Sequence, residues 1–143
     1  MLKHQVVLEK KVEILITEFL KDQIPELIAI YIFGSMADNS TTSESDIDIA
    51  FLSFRKISAV EKWKIQEELA SKLNQDVDLI DLKDATTILQ TEVIEKGILI
   101  YSGDSYQVNH FEMITYSMYA DLNESRQDIL NDYKEKYGRD SNQ

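Results

Sequence analysis

The sequence contains no cysteine, a single proline and four glycines in 143 residues. Without cysteine there can be no disulfide framework, no cysteine-ligated zinc site and no thiol nucleophile. The longest uninterrupted apolar run covers the seven residues 27–33, far fewer than the ~20 that a membrane-spanning helix needs. No apolar signal segment followed by small residues stands near the N-terminus. These absences predict one compact domain, residues 1–143, located in the cytoplasm.

Basic residues are also scarce. The chain has 15 Lys and Arg against 26 Asp and Glu, a formal net charge of -11. Proteins that bind nucleic acid usually neutralise its phosphates with a basic face. We therefore expect neither a direct nucleic-acid partner nor a membrane partner. Between Lys21 and Arg55 there is no basic residue at all, so a bound phosphate would have to meet its positive charge elsewhere, for example at Arg55, Lys62 or Lys83.

Hydrophobic periodicity predicts four helices and four strands, arranged as an α/β sandwich. Apolar residues at three-and-four spacing indicate helices, and short alternating or wholly apolar runs indicate strands. The predicted helices are 8–22, 57–73, 85–96 with Asp84 as a possible cap, and one long helix over about 105–137; the predicted strands are 27–33, 46–52, 76–81 and 98–101. This order favours a small mixed sheet with helices packed on it.

Paired carboxylates stand on two of the predicted strands. Asp46 and Asp48 are two residues apart, so both side chains leave the same face, about 6.6 Å apart along the strand. Asp76 and Asp78 repeat this spacing on a later strand. Three clustered carboxylates can all stay ionised only if a cation lies among them. Without a cation, the pKa of one of them rises. Hard oxygen ligands suit Mg²⁺ or Mn²⁺, which commonly support phosphoryl or nucleotidyl transfer.

Gly34 and Ser35 follow the apolar strand 27–33 directly. Glycine lets the backbone approach a phosphate closely, and the serine hydroxyl with the following N–H groups can donate to its oxygens. Ten residues, 36–45, separate this anion cradle from Asp46. The spacing therefore links a phosphate cradle to a carboxylate pair.

This arrangement resembles the signature of the polymerase-beta nucleotidyltransferase superfamily. The resemblance implies that Asp46 and Asp48 bind two Mg²⁺ ions and that Gly34, Ser35 and Ser45 contact the nucleotide. It further implies that an acidic residue on a later strand completes the metal site and helps to deprotonate the attacking hydroxyl. Asp78 fits that place, with Asp76 as its rival on the same strand parity.

Over roughly residues 8–135 the chain is similar to the minimal nucleotidyltransferase (MNT) antitoxins of HEPN/MNT toxin–antitoxin pairs. The similar features include the sequence Ser-Asp-Ile-Asp-Ile at 45–49, a helix with Trp63, the strand 76–82 and a late helix with residues 114–119 and Arg126. The resemblance implies an enzyme that transfers AMP from ATP to a tyrosine hydroxyl of a HEPN ribonuclease toxin and so inactivates it.

Two other functions stay open at this point. One is an antitoxin that neutralises its toxin by binding, without catalysis, which the scarcity of basic residues near Gly34 favours. The other is nucleotide transfer to a hydroxyl of a small molecule.

Several side chains have bland structural interpretations. Trp63 and a cluster of Met and Tyr residues in the last helix are expected in the core, and Asp81 is expected to end its strand or face solvent. Residues 111–122 are apolar around so much of the helix that one sheet cannot cover them, which indicates a partner contact. Arg126 interrupts the apolar positions of that helix and pairs with a nearby Glu or reaches a partner. The cluster consists of Met113, Tyr116, Met118 and Tyr119.

Overall fold

The computed structural model describes residues 9–34 and 46–138. The helices are α1 (Lys10–Gln23), α2 (Ala59–Leu73), α3 (Thr87–Lys96) and α4 (Ser105–Tyr133), and a π-helical turn at Lys134–Gly138 follows α4. The strands are β1 (Leu27–Phe33), β2 (Ile47–Ser53), β3 (Val77–Asp81) and β4 (Ile98–Ser102). Every predicted helix and strand is therefore present, with ends that differ by a few residues.

The strands form one mixed sheet in the order β3-β2-β1-β4. The central strand β1 is antiparallel to both β2 and β4, whereas β2 and β3 run parallel. The end of β1 therefore lies beside the start of β2, and β3 starts at the same end of the sheet. This arrangement confirms the predicted mixed sheet.

The sheet is covered by helices on both faces, which explains why β1 is apolar at both parities. On one face Ile30 and Ile32 pack with residues of α1 and α2. On the other face Tyr31 and Phe33 pack with residues of α3 and α4, such as Val93. Each strand thus contributes alternate residues to two separate apolar layers.

Side-chain caps set the beginnings of three helices. The hydroxyl of Ser58 accepts from the N–H of Glu61 at the start of α2, and Asp104 accepts from the N–H of Gln107 at the start of α4. The prediction that Asp84 caps α3 is wrong, because Thr86 takes that role. Asp84 instead pairs with Lys56, 2.7 Å from the ammonium nitrogen.

The edge strand β3 is held by two side chains of α2. The N–H of Leu79 donates to Gln66 Oε1 over 2.9 Å, and the Lys62 ammonium donates to the Leu79 carbonyl over 2.9 Å. These bonds occupy backbone groups that an edge strand otherwise leaves unpaired. Lys62 therefore has a structural role at this edge.

α4 contacts α3 and β1, and its buried residues, Val108 and Thr115, lie in its first half. The Tyr31 hydroxyl donates to Glu112 Oε2 over 2.7 Å and fastens the helix to the sheet. Burial and this hydrogen bond raise the pKa of Tyr31. Within the described ranges, no helix is both long and apolar enough to cross a bilayer.

The prediction that several large side chains lie in the core is wrong. Trp63 on α2 is 58% exposed. Along α4, Met113, Tyr116 and Met118 are exposed, whereas Tyr119 is half-buried. These helices cover the sheet with only one face each, so apolar residues at other positions remain on the surface.

Candidate active site

The parallel pairing of β2 with β3 brings two of the predicted acidic residues side by side. Asp48 is the register partner of Asp78, and Asp46 directly precedes β2. All three have the parity of Ala50 and Leu52, which face α3 and α4. The carboxylates therefore gather at one end of the sheet, on one face of it.

Gly34 closes this end of the sheet from the side of β1. Its φ of 76° lies in the left-handed region that glycine adopts without strain. A Cβ built on Gly34 would overlap the Asp48 carboxylate oxygen Oδ2. Only a residue without a side chain lets the end of β1 approach Asp48 this closely.

The carboxylates act on one another electrostatically. Partial burial raises the pKa of Asp48, and the neighbouring anions Asp78 and Asp46 raise it further. Burial penalises the charged form, and like charges disfavour a second ionisation at short range. A nearby cation would therefore stabilise the charged form of Asp48.

The donor set fits a hard divalent cation, since carboxylate oxygens are the ligands that Mg²⁺ prefers. Among the described residues, however, no three His, Asp or Glu side chains are already gathered around one metal position. The oxygen ligands of Asp46, Asp48 and Asp78 thus suit Mg²⁺. The three carboxylates share one end of the sheet but do not converge on a single metal position.

The other two predicted acidic residues lie at opposite ends of β3. Asp76 has the parity of Asp78 but precedes β3, where its carbonyl accepts from the N–H of Ile47. Asp81 ends β3 as predicted, but it is buried and does not face solvent. It accepts from the N–H of Lys83, and burial raises its pKa. Ser35 and Ser45, the remaining predicted nucleotide contacts, lie outside the described residues.

Two of the three cations considered for phosphate binding, Arg55 and Lys83, are not at the carboxylate end, and the third, Lys62, is engaged with the Leu79 carbonyl. Lys83 follows β3, and its ammonium donates to the Phe54 carbonyl over 2.7 Å. Arg55 follows β2, so both residues belong to the opposite end of the strands. Phosphate charge at the carboxylates therefore cannot be met by either side chain.

A cavity of about 540 Å³ adjoins Gly34, and no sequence pattern predicted it. It is lined by Phe33, Gly34, Leu89, Glu92 and Lys96. Gly97 brings the end of α3 against β1, where a Cβ on Gly97 would lie 3.1 Å from the Ile32 carbonyl oxygen. This close approach brings Lys96 into the same cavity lining as Gly34. The Lys96 ammonium nitrogen lies 3.6 Å from Glu92 Oε2.

Comparison with known proteins gives relatives over most of the chain. The family model for polymerase beta nucleotidyltransferases matches residues 15–106. The protein adenylyltransferase MntA of Shewanella oneidensis is 38% identical over 117 residues, which are 82% of this chain and 84% of MntA.

Solved structures of relatives share the fold. A chain from a crystal structure of a toxin–antitoxin with AMP-PNP superposes with a TM-score of 0.77 at 38% identity, over 84% of this chain and 96% of that one. A chain from the tri-AMPylated Shewanella oneidensis HEPN toxin in complex with MNT antitoxin gives a TM-score of 0.74 at 36% identity, over 87% and 98%. With its sheet order and its carboxylates beside Gly34, this chain belongs to the polymerase beta nucleotidyltransferase family, among relatives of the adenylyltransferase MntA.

Proposed function

We propose that this protein is an antitoxin that transfers AMP from ATP to a tyrosine hydroxyl of a HEPN ribonuclease toxin and so inactivates it. The observation that carries the chemistry is the position of Asp48, beside Asp78 and against Gly34. The choice of a protein acceptor is supported by the relative that is named a protein adenylyltransferase and by the relative solved with a tri-AMPylated toxin. ATP as the nucleotide is supported by the relative solved with AMP-PNP.

The residues of this chain divide the work between phosphate and acceptor. Gly34 and Ser35 hold the triphosphate, with Ser45 as a further nucleotide contact. The tyrosine oxygen attacks the α-phosphorus in line and forms the new phosphoester bond, while the bond to the β-phosphate breaks and pyrophosphate leaves. Asp78 accepts the proton of the attacking hydroxyl.

Asp46, Asp48 and Asp78 would hold Mg²⁺, two ions in this proposal. When bound, the ions polarise the phosphate oxygens and neutralise charge on the departing pyrophosphate. The raised pKa of Asp48 supports this role, since a carboxylate between two others gains most from a cation. We place this reaction in the cytoplasm.

The proposed function is tested by incubating the protein with ATP, Mg²⁺ and its purified toxin partner and measuring the intact mass of the toxin. We expect mass gains in units of AMP with the wild type. The variant Asp46→Asn/Asp48→Asn should slow the gain by about a thousandfold or more, because it removes two of the three carboxylates proposed to hold Mg²⁺. Exposed Glu67→Gln on α2 serves as the control and should transfer AMP at the wild-type rate.

Two further readouts separate this proposal from its alternatives. Mg²⁺ should raise the melting temperature of the wild type but not of Asp46→Asn/Asp48→Asn, since ligands stabilise the state that binds them. A double variant that still neutralises the toxin fully, with no AMP added by the wild type, would show neutralisation by binding alone. Mass gain on a small hydroxyl compound without any toxin would show the wrong acceptor class.

A further inference from the structure

The second half of α4 carries apolar residues on the face that its first half turns toward the sheet. Val108 and Thr115 are buried on that face. Leu122, Arg126, Ile129 and Leu130 follow at helical spacing on the same side. We call these four residues the distal stripe. The face of α4 that packs against the sheet and α3 therefore continues past the last buried residue of the helix, Thr115.

The described part of the chain does not cover the distal stripe. No residue of α4 after Thr115 is buried, and Leu122 is only half-buried. Ile129 is 68% exposed and Leu130 52%. A helical segment of this length without tertiary contacts is only marginally stable in water. An apolar face on such a segment indicates an external partner.

The direction of α4 places the distal stripe near the candidate active site. α4 begins shortly after β4, whose last residue Ser102 pairs with Ala29 near the start of β1, and Glu112 bonds Tyr31 farther along that strand. The helix therefore advances with β1 toward Gly34. Residues 122–133 extend it by roughly 18 Å at 1.5 Å per residue. Continued in this direction, they extend toward the carboxylate end, on the face of the sheet that α4 covers.

Charge decides between a second copy of this chain and a different protein. Residues 119–133 hold four acidic residues against one basic residue. Two copies joined through α4 would bring these acidic flanks together, which costs free energy. A toxin that binds RNA must carry basic surface for its phosphates. The acidic residues are Asp121, Glu124, Asp128 and Asp132.

We propose that the second half of α4 is the docking helix for the toxin and that it positions the acceptor tyrosine at the carboxylates. The apolar residues of the distal stripe bury against the toxin, and the acidic flank meets its basic surface. This inference rests on the proposed function for the identity of the partner. It adds the surface of this chain that selects that partner.

The test compares two double variants in toxin binding and in AMP transfer. Ile129→Gln/Leu130→Gln removes the apolar contact and keeps a good helix-forming side chain. The control Ile14→Gln/Val60→Gln replaces equally exposed residues on α1 and α2. Calorimetric titration gives the Kd for the toxin, and intact mass against toxin concentration gives KM and kcat.

We expect Ile129→Gln/Leu130→Gln to raise both Kd and KM for the toxin by about tenfold or more, since central apolar contacts dominate interface affinity. Its kcat at saturating toxin should stay within about twofold of the wild type, and its circular dichroism should be unchanged. The control variant should match the wild type throughout. Asp121→Asn/Asp128→Asn should slow association several-fold at low salt.

Unchanged toxin binding by Ile129→Gln/Leu130→Gln, with AMP transfer intact in the wild type, overturns the docking helix and leaves the proposed function standing. A wild-type dimer in light scattering that this variant loses also overturns it, in favour of a second copy. Toxin binding that depends on the distal stripe without any AMP transfer supports the docking helix and contradicts the proposed enzyme.

Discussion

The two ends of the sheet use polar residues in opposite ways. At the end where β2 and β3 finish, buried Ser53 donates toward the carbonyls of Pro25 and Arg55 and accepts from the N–H of Arg55. Asp81, also buried there, accepts from the N–H of Lys83. At the end where β2 and β3 begin, Asp48 instead stands beside another carboxylate, Asp78, and both raise the local negative charge.

This difference distinguishes polar residues that stabilise the fold from polar residues that are available to a ligand. A buried polar group with hydrogen-bond partners stabilises the fold and has little capacity left for a ligand. Neighbouring carboxylates cost free energy in the absence of a cation, and such an arrangement persists where it serves a function. The two ends can therefore be told apart by variants matched across the sheet.

Among single substitutions matched across the sheet, the largest difference is expected between two acidic residues at opposite ends of β3. Asp78→Asn should lower kcat for AMP transfer by about a hundredfold or more, because the attacking hydroxyl loses its proton acceptor. Asp81→Asn should leave kcat within about twofold, since the amide oxygen can still accept from the N–H of Lys83. Rates from intact mass at saturating ATP and toxin give the comparison.

Asp76→Asn completes this series, because sequence parity alone does not separate Asp76 from Asp78. We expect its rate to stay near that of the wild type, as Asp78 is the partner of Asp48 in the sheet. If Asp76→Asn lost as much rate as Asp78→Asn, the choice of Asp78 over Asp76 as the third carboxylate would be wrong.

A smaller effect, on stability as well as rate, is expected from glycines at opposite ends of β1. Gly34→Ala should lower the free energy of unfolding by about 1–3 kcal/mol, because its left-handed φ strains any other residue. It should also slow AMP transfer, since the new Cβ displaces Asp48 Oδ2. Urea denaturation measures the first quantity and intact mass the second.

Gly103→Ala is the matched control at the other end. Its new Cβ would lie 2.6 Å from the Tyr101 hydroxyl oxygen, which belongs to the far end of a side chain. Some stability should be lost there, but kcat should not change. Equal kcat in the two alanine variants would argue that Gly34 has no special place at the site.

Much of the fold could be predicted from the sequence because its signals are local. The apolar run 27–33 and the Ser58 cap specify their elements without reference to the rest of the chain. Which residues stay exposed could not be predicted, because this depends on how far each helix is covered. Trp63 shows this, since its helix turns it away from the sheet.

Sequence spacing predicts that the carboxylates share one face of a strand, but it does not predict which residues surround them. Two-residue periodicity places Asp46 and Asp48 on one face, but the pairing of Asp48 with Asp78 depends on strand order. Lys96 reaches the same end only through the packing of α3 on β1. Sequence spacing alone does not distinguish Lys83 from Lys96, but the direction of β3 carries Lys83 to the opposite end.

The smallest expected effect is the pH dependence of stability at Asp48. Its pKa in the folded protein is raised above the ordinary 3.8, first by burial and then by Asp78 and Asp46. The folded state therefore binds the proton more tightly than the unfolded state. The stability that this proton contributes is present below the unfolded pKa and is lost as pH rises through the folded pKa.

Asp48→Asn stays neutral at every pH, so it should gain stability over the wild type as pH rises. We expect urea denaturation to show a higher free energy of unfolding for Asp48→Asn than for the wild type at pH 7, and this excess should vanish near pH 3. Because burial is the largest cause, most of this excess should persist in 0.5 M salt, where repulsion from exposed carboxylates is screened. Disappearance of the excess in salt would instead assign the raised pKa to the neighbouring anions, and a wild type that is the more stable at pH 7 would reverse its sign. Added Mg²⁺ should narrow the gap by stabilising only the wild type, which joins this measurement to the chemistry proposed for the carboxylate end.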